Sequence, residues 1–334
     1  MKVLGPNQIN LDKWESLLLK SSYSSPFQTP DFYRFCKQSK YLSCDVFAIE
    51  NNEGNYVAVC LATIQKEKGL KSYFSRRAII YGGPIIAENF SQEAFGLLLN
   101  VIESKLKKKV IYIEVRNYHN YSAFRNEYDK KEWLYQPYLN IKVSFAFSNA
   151  LEILSSFKYN RRREVKLSIK SGLAYGSTDS PDDIGEVYNI LHKLYTQEVG
   201  LPLPPLKYFE DLRETGLLKA FVVKDNEKTV GGSFCLVLNN QAIYTYYYCG
   251  LRDYKPKTYP THLAVLAAME YGVNNNLKYL DFMGAGLANK DYGVRKYKKE
   301  FGGNVVEEGR FLKITNKPLY KLGVLAMKIL KKKD

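Results

Sequence analysis

The sequence predicts an α/β (α+β) chain of two tandem domains, each a mixed central sheet flanked by helices. Three observations carry that expectation. The 334 residues exceed what one hydrophobic core usually supports. With 46% hydrophobic and 25% charged residues the composition is that of an ordinary globular protein. Most informative is an internal echo: Phe47–Cys60 and Phe221–Cys235 both read as strand, turn, strand, about 170 residues apart, which marks a duplicated domain rather than a short solenoid repeat.

Each element follows from local pattern. In both copies alternating apolar residues flank an Asn/Glu-containing turn, with a Gly in the first, which is a hairpin signature. After the first hairpin the pattern predicts strand Ala78–Ile86, helix Gln92–Leu106 and strand Val110–Val115; after the second, strand Ala242–Cys249, helix Thr261–Val273 and strand Leu277–Met283. Phe95, Leu98, Leu99, Ile102 and Leu106 share one helical face, as do Leu263, Leu266, Ala267 and Tyr271. Ser91 and Thr261 are the expected N-caps. Between the halves the sequence predicts a basic helix Ser155–Ser171 closed by Gly172, and a second helix over Pro181–Val199. Domain limits of 1–148 and 149–316 follow, with 317–334 as a basic amphipathic tail carrying Leu319, Leu322, Ala326, Ile329 and Leu330 on one stripe.

Composition also narrows the function. Forty-nine Lys+Arg against 34 Asp+Glu give a net charge of +15, which attracts polyanions: nucleic acid, phosphorylated cofactors or an anionic membrane surface. Five scattered cysteines without a CxxC pair, and the separated His119, His192 and His262, predict no metal site and no disulfide framework. The N-terminus lacks an apolar signal core and no run of eighteen apolar residues occurs, so a cytoplasmic protein is expected.

Four segments carry a family resemblance. Pro26–Phe32 resembles an "F-Q-S-x-x-W/F" N-terminal motif, and Tyr81–Ile86 a "Y-x-G-P-V" strand. Asn160–Gly172 resembles an "R-x-x-I-x-x-A-x-K-x-G" helix, and Asp281–Gly284 with Tyr297–Gly302 a closing "D-F-G … F-K-x-x-F-G". In this order they resemble the Fem family of aminoacyl-tRNA-dependent transferases and related GNAT-like acyltransferase proteins. The resemblance implies two tandem GNAT-like domains, attack of an amine on an activated acyl group, and no bound cofactor. It implies aminoacyl-tRNA or acyl-CoA as donor and a phosphorylated or lipid-linked sugar or peptide as acceptor. The sequence departs from the family in lacking room for a long coiled-coil arm between Ser171 and Pro202. It departs again at Arg252–Pro260, where a phosphate loop would need glycines and here two prolines lack N–H donors.

Candidate residues follow, each with a competing structural reading. Lys298 is placed by the resemblance at the reacting centre, where a cation stabilises an oxyanion; otherwise it is one more lysine of a basic helix. Asp281 ends a strand and would orient Lys298 or help deprotonate the amine, or cap a turn. Arg161, Arg162, Arg163 and Lys166 open a helix against its dipole and would dock an anionic donor, or form a solvated face. Tyr244, Tyr246 and Tyr248 alternate onto one strand face, with Tyr246 and Tyr248 as donor-stacking candidates, or pack a sheet. Arg34, Glu114 and Arg116 are acceptor-binding candidates in the first half, and His192 and His262 read as structural. The basic tail suits either peripheral contact with an anionic inner leaflet or docking on its own domain. Two other functions stay open: a CoA-dependent N-acyltransferase acting on an amino sugar in polysaccharide assembly, and a non-catalytic RNA- or membrane-binding protein on the same scaffold.

Overall fold

The computed structural model describes residues 1–66, 72–147 and 149–330, without the side chains of 72, 73, 150, 151 and 326–330. The first unit opens with β1 (Lys2–Leu4), α1 (Leu11–Lys20) and α2 (Pro30–Gln38), then the hairpin β2 (Ser43–Glu50) and β3 (Tyr56–Gln65). It continues through α3 (Ser72–Ser75), β4 (Arg77–Gly82), β5 (Ile85–Ile86), α4 (Gln92–Leu106), β6 (Tyr112–Asn117), α5 (Arg125–Lys130) and β7 (Leu134–Gln136). The second unit starts within β8 (Tyr138–Ser144), whose first residue still belongs to the first, and continues through α6 (Ala150–Ser156), α7 (Tyr159–Lys170), β9 (Ala174–Thr178), α8 (Pro181–Leu194), α9 (Leu206–Glu214) and the hairpin β10 (Leu218–Asp225) and β11 (Lys228–Leu238). It closes with β12 (Ala242–Gly250), α10 (Pro260–Asn274), β13 (Tyr279–Leu287), α11 (Gly293–Lys299) and β14 (Asn304–Glu307). Last come β15 (Arg310–Ile314) and α12 (Lys317–Leu330).

The chain divides into residues 1–138 with the segment from Glu307 onward, and Leu139–Val306. That differs from limits at 148 and 316: β15 is not the last strand of the second sheet but returns to the first. It lies between β6 and β7 in the order β1-β2-β3-β4-β6-β15-β7, with β5 on β3. The reason is packing. Phe311 of β15 is buried in the first core and stacks face to face on Tyr128 at 3.6 Å. The second sheet runs β14-β8-β13-β12-β11-β10-β9. Its core packs β10–β13 under α10, whose residues from Leu263 through Met269 are all buried.

Both hairpins form as expected, and Ser91 caps α4 by accepting from the Ala94 N–H. Thr261 is not an N-cap: α10 begins at Pro260, and its cap position, Tyr259, makes no side-chain cap bond. The single basic helix expected over Ser155–Ser171 is two helices. Phe157 turns into the core edge-on to Phe301, and the Lys158 N–H bonds to Glu300 O, so the helical ladder breaks between them. Gly172 ends α7 with φ +89, as its lack of a Cβ allows.

Tyr244, Tyr246 and Tyr248 do not share a face. The β11–β12 register runs Cys235↔Thr245 and then Phe234↔Tyr247, so Tyr246 sits in a bulge and the alternation inverts after it. Tyr246 Oη meets Tyr208 Oη of α9 at 3.1 Å, whereas Tyr248 stacks on Tyr297 of α11. In α12, Tyr320 packs edge-on against Tyr112 while Leu322 and Leu325 are exposed. The side chains of Ala326, Ile329 and Leu330, and all of Lys331–Lys333, lie outside the described residues. No described helix is long and apolar enough to cross a membrane.

Candidate active site

Two parallel strands part in the second unit, and the side chains at their fork are the strongest candidates for chemistry. β12 and β13 pair only at Ala242↔Tyr279, Ile243↔Leu280 and Tyr244↔Asp281. Beyond that point β12 carries its bulge, and β13 bends through Met283, whose φ of +57 is left-handed for a residue with a side chain. Asp281, fully buried, holds the bend by accepting the Met283 N–H at 2.6 Å.

A strand that leaves its neighbour exposes carbonyls that need donors. The Lys298 ammonium on α11 supplies them, at 2.6 Å from Phe282 O and 2.8 Å from Gly284 O. These are alternate residues and so face one edge of the strand. Further along, Arg295 donates to Ala285 O at 2.8 Å and to Leu287 O. Lys298 is 6% exposed; burial pushes its ammonium down to about 8, with the Asp281 carboxylate opposing that shift. Two of its three N–H donors serve the strand. A buried ammonium with a donor left over, beside a buried carboxylate, can stabilise negative charge forming on a nearby oxygen.

Arg161 anchors a second cluster. It is buried, pairs with Glu300 at 2.6 Å and Glu164 at 3.5 Å, contacts His262 Nε2, and lies 4.4 Å over the Tyr297 ring and 4.8 Å over Phe301. Tyr297 Oη reaches His262 Nδ1 at 3.3 Å. Burial, and then the Arg161 charge, push the His262 imidazole down to about 3, so it is neutral at physiological pH. Arg161 is thus a tethered structural cation, while Arg163 and Lys166 are exposed and Arg162 donates to Ser155 O. Of the expected donor-binding set, Arg161 and Tyr248 come together through Tyr297, whereas Tyr246 faces α9.

Between β12 and α10 lies a cavity of about 500 Å³ lined by Leu251–Asp253 and Lys255–His262. Gly250 lets the helix approach: a Cβ there would come within 2.6 Å of Thr261 N and Oγ1. Asp253 and Lys257 adopt positive φ (+50 and +63), the conformation glycines would normally supply. Arg252 pairs with Glu198 and Lys255 with Asp225. The Tyr259 N–H is taken by Ser168 Oγ at 2.8 Å and the His262 N–H by Tyr259 O at 3.0 Å.

In the first unit Arg34 is exposed and, among the described residues, pairs with Asp31. Glu114 is buried and receives Arg116 at 2.9 Å and Arg310 at 3.0 Å. Sequence reasoning missed Arg310, Arg295, Glu164 and Glu300, and assigned His262 a purely structural place. Glu164 and Glu300 lie inside the motif segments Asn160–Gly172 and Tyr297–Gly302, and His262 sits in the first turn of the helix after the loop Arg252–Pro260; Arg295 and Arg310 had no local signal. Among the described residues no group of His, Cys, Asp or Glu is placed to hold a metal.

Residues 155–299, which include the fork, Lys298 and the cavity, match the family model described as acetyltransferase (GNAT) domain. The second unit is therefore a GNAT-type acyltransferase domain, and the protein is of the acyltransferase class. Among solved structures the fold is similar to FemX, with 16% identity, TM-score 0.74 and coverage of 96% of this chain and 99% of that one. It is also similar to the C-terminal domain (DUF2156) of a lysylphosphatidylglycerol synthetase described as putative, from Agrobacterium fabrum, at 12% identity, TM-score 0.61 and 96% coverage of each chain. A tandem GNAT protein from the clavulanic acid biosynthesis pathway is similar at 10% identity and TM-score 0.58, covering 94% of this chain and 98% of that one. No curated protein is close enough in sequence to match. These likenesses bear out two GNAT-like domains in tandem.

Proposed function

We propose that the protein transfers an aminoacyl group from charged tRNA to a primary amine on a cell-envelope precursor, and that the fork in the second unit is where the transfer occurs. The observation that carries this reading is Lys298, a buried cation held between two strand carbonyls beside Asp281. The amine lone pair attacks the ester carbonyl carbon, and charge collects on the carbonyl oxygen. The remaining Lys298 N–H stabilises that oxyanion. Collapse re-forms the carbonyl, breaks the bond to the ribose oxygen, and the amine's proton passes to that oxygen. Asp281 keeps Lys298 charged and its strand bent; it is too buried to meet bulk water. The donor is already activated, so positioning and charge stabilisation suffice for the step.

The choice of charged tRNA over acyl-CoA rests on the loop before α10. Pro256 and Pro260 have no N–H, and the Tyr259 and His262 amides are already bonded, which leaves few backbone donors for a pyrophosphate. A cell-envelope acceptor agrees with the likeness to FemX. A second reading, acyl transfer from CoA to an amino sugar, is favoured by the cavity of about 500 Å³ beside Lys255 and Lys257. Thermal melting with each donor separates the two. Protection by charged tRNA and not by acyl-CoA is expected; the reverse would replace the first reading by the second, and bulk RNA protecting as well as charged tRNA would remove both. Either donor implies a protein working in the cytoplasm, where both are made.

A further inference from the structure

The antiparallel strands β6 and β15 of the first unit place two arginines side by side where an uncharged pair would be more stable. Arg116 of β6 and Arg310 of β15 are direct partners in the antiparallel register, and like charges opposite each other on adjacent strands destabilise a sheet. One carboxylate, Glu114, two residues back on β6, divides its oxygens between them, Oε2 to Arg116 and Oε1 to Arg310. Two guanidiniums and one carboxylate leave one positive charge. They also leave most of ten N–H donors unspent, since each guanidinium has five. Arg116 Nε is buried with no hydrogen-bond partner. Each guanidinium lies over a ring, Arg310 at 3.4 Å from the Tyr138 centroid and Arg116 at 5.3 Å from that of Tyr81, which limits where its fork can turn. Yet both side chains stay partly exposed, Arg116 at 29% and Arg310 at 19%. Arg116 and Tyr81 stand at the C-terminal ends of parallel strands, where open α/β sheets bind their ligands.

We propose that Arg116 and Arg310 form an oxyanion-binding site in the first unit, taking a phosphoryl or carboxylate group, with Glu114 as the internal anion that the ligand partly displaces. The bearer of that group is the acceptor, and only this clause rests on the transferase reading above. A purely structural triad predicts that losing any member weakens the fold and nothing else. An anion site predicts opposite changes in affinity for the two signs of charge.

The test is titration of the full chain with inorganic phosphate and, separately, with acetate, at an ionic strength held constant by chloride, followed by calorimetry and thermal melting. Native protein is expected to be protected by at least one of the two, phosphate indicating a phosphoryl bearer and acetate a carboxylate bearer. Glu114→Gln should bind that anion about tenfold more tightly and Arg310→Gln about tenfold more weakly, the size of one charge-assisted bond gained or lost. Arg310→Lys, which keeps the charge and loses the fork, should fall between. The site is ruled out if neither anion protects the native chain, or if affinity is the same in the native and Arg310→Gln proteins. It is equally ruled out if Glu114→Gln binds no more tightly than native. No donor or transfer is involved, so a failed transfer assay leaves this result standing, and a null titration leaves the chemistry at Lys298 untouched.

Discussion

The two units are built on one plan and differ at one seam. In the first, parallel strands β4 and β6 stay paired along their whole length, from Arg77↔Tyr112 to Gly82↔Asn117. In the second, β12 and β13 part after three pairs. Each unit also completes an irregular stretch of its sheet with one buried polar side chain, between β3 and β4 in the first and at the β12–β13 fork in the second. In the first that side chain is neutral: the Gln28 amide accepts the Leu61 N–H at 2.8 Å and donates to Leu61 O and Tyr81 O at 2.9 and 3.0 Å. In the second it is the charged Lys298. A neutral amide that satisfies all its neighbours closes a gap, whereas a cation with a donor to spare leaves one open for chemistry. One duplicated scaffold thus holds a sealed seam and an open one, and the family-model match lies on the open one.

The comparison breaks most visibly at Lys298. Lys298→Met is expected to lower the transfer rate about 10²–10³-fold in single-turnover assays, the cost of one oxyanion donor. An unchanged rate would make Lys298 a strand-closing residue only, like Gln28. The same lysine sets a pH dependence. Its folded value of about 8 lies below the 10.5 of a solvated lysine, so the unfolded chain binds more protons between those values and stability rises with pH across that window. Activity should move the other way, falling about tenfold per pH unit above about 8 as the ammonium is lost. Lys298→Arg, which stays charged, should abolish that alkaline limb even if its rate is lower. A limb that survives the substitution would belong to another group.

Gln28→Leu is the counterpart in the sealed seam. It removes three hydrogen bonds and leaves buried backbone groups of Leu61 and Tyr81 unpaired, a cost of about 3 kcal/mol in denaturant unfolding. Donor protection in thermal melting should persist once measured below the lowered melting point. A loss of donor binding without loss of stability would overturn the division of labour between the seams.

How much of this was legible in the sequence depends on the range of the interaction. The hairpins, α4 and the end of α7 at Gly172 were readable because alternation, apolar spacing and caps act within a few residues. Lys298 and Asp281 came from motif resemblance, and the fold sets them at one fork. The return of β15 was not readable, since an alternating strand fits either sheet until Phe311 meets Tyr128. The inverted faces of Tyr246 and Tyr248 were hidden too, because a bulge is set by register with β11 and not by the strand's own sequence. Arg310 was invisible as a site residue for the same reason: its partner Glu114 lies 196 residues away.

The smallest expected effects sharpen the duplication itself, in the two hairpin turns. The first-unit turn runs from Asn51 to Asn55 and uses Gly54 at φ +81, with Asn51 Oδ1 accepting from the Glu53 and Asn55 N–H groups. The second-unit turn has two residues between Asp225 and Lys228, with Asn226 at φ +52. Both need a left-handed residue, but glycine and asparagine meet that need differently. Gly54→Ala would add a Cβ with no close neighbour, so its cost is the backbone strain alone, about 1 kcal/mol. Asn226→Gly relieves a mild strain while loosening the unfolded chain, and the two nearly cancel, within roughly 0.5 kcal/mol. Chemical denaturation of both variants distinguishes a conformational requirement from a side-chain one. If Asn226→Gly cost as much as Gly54→Ala, the Asn226 amide itself would be holding the second turn, and the two hairpins would share a shape without sharing the means of making it.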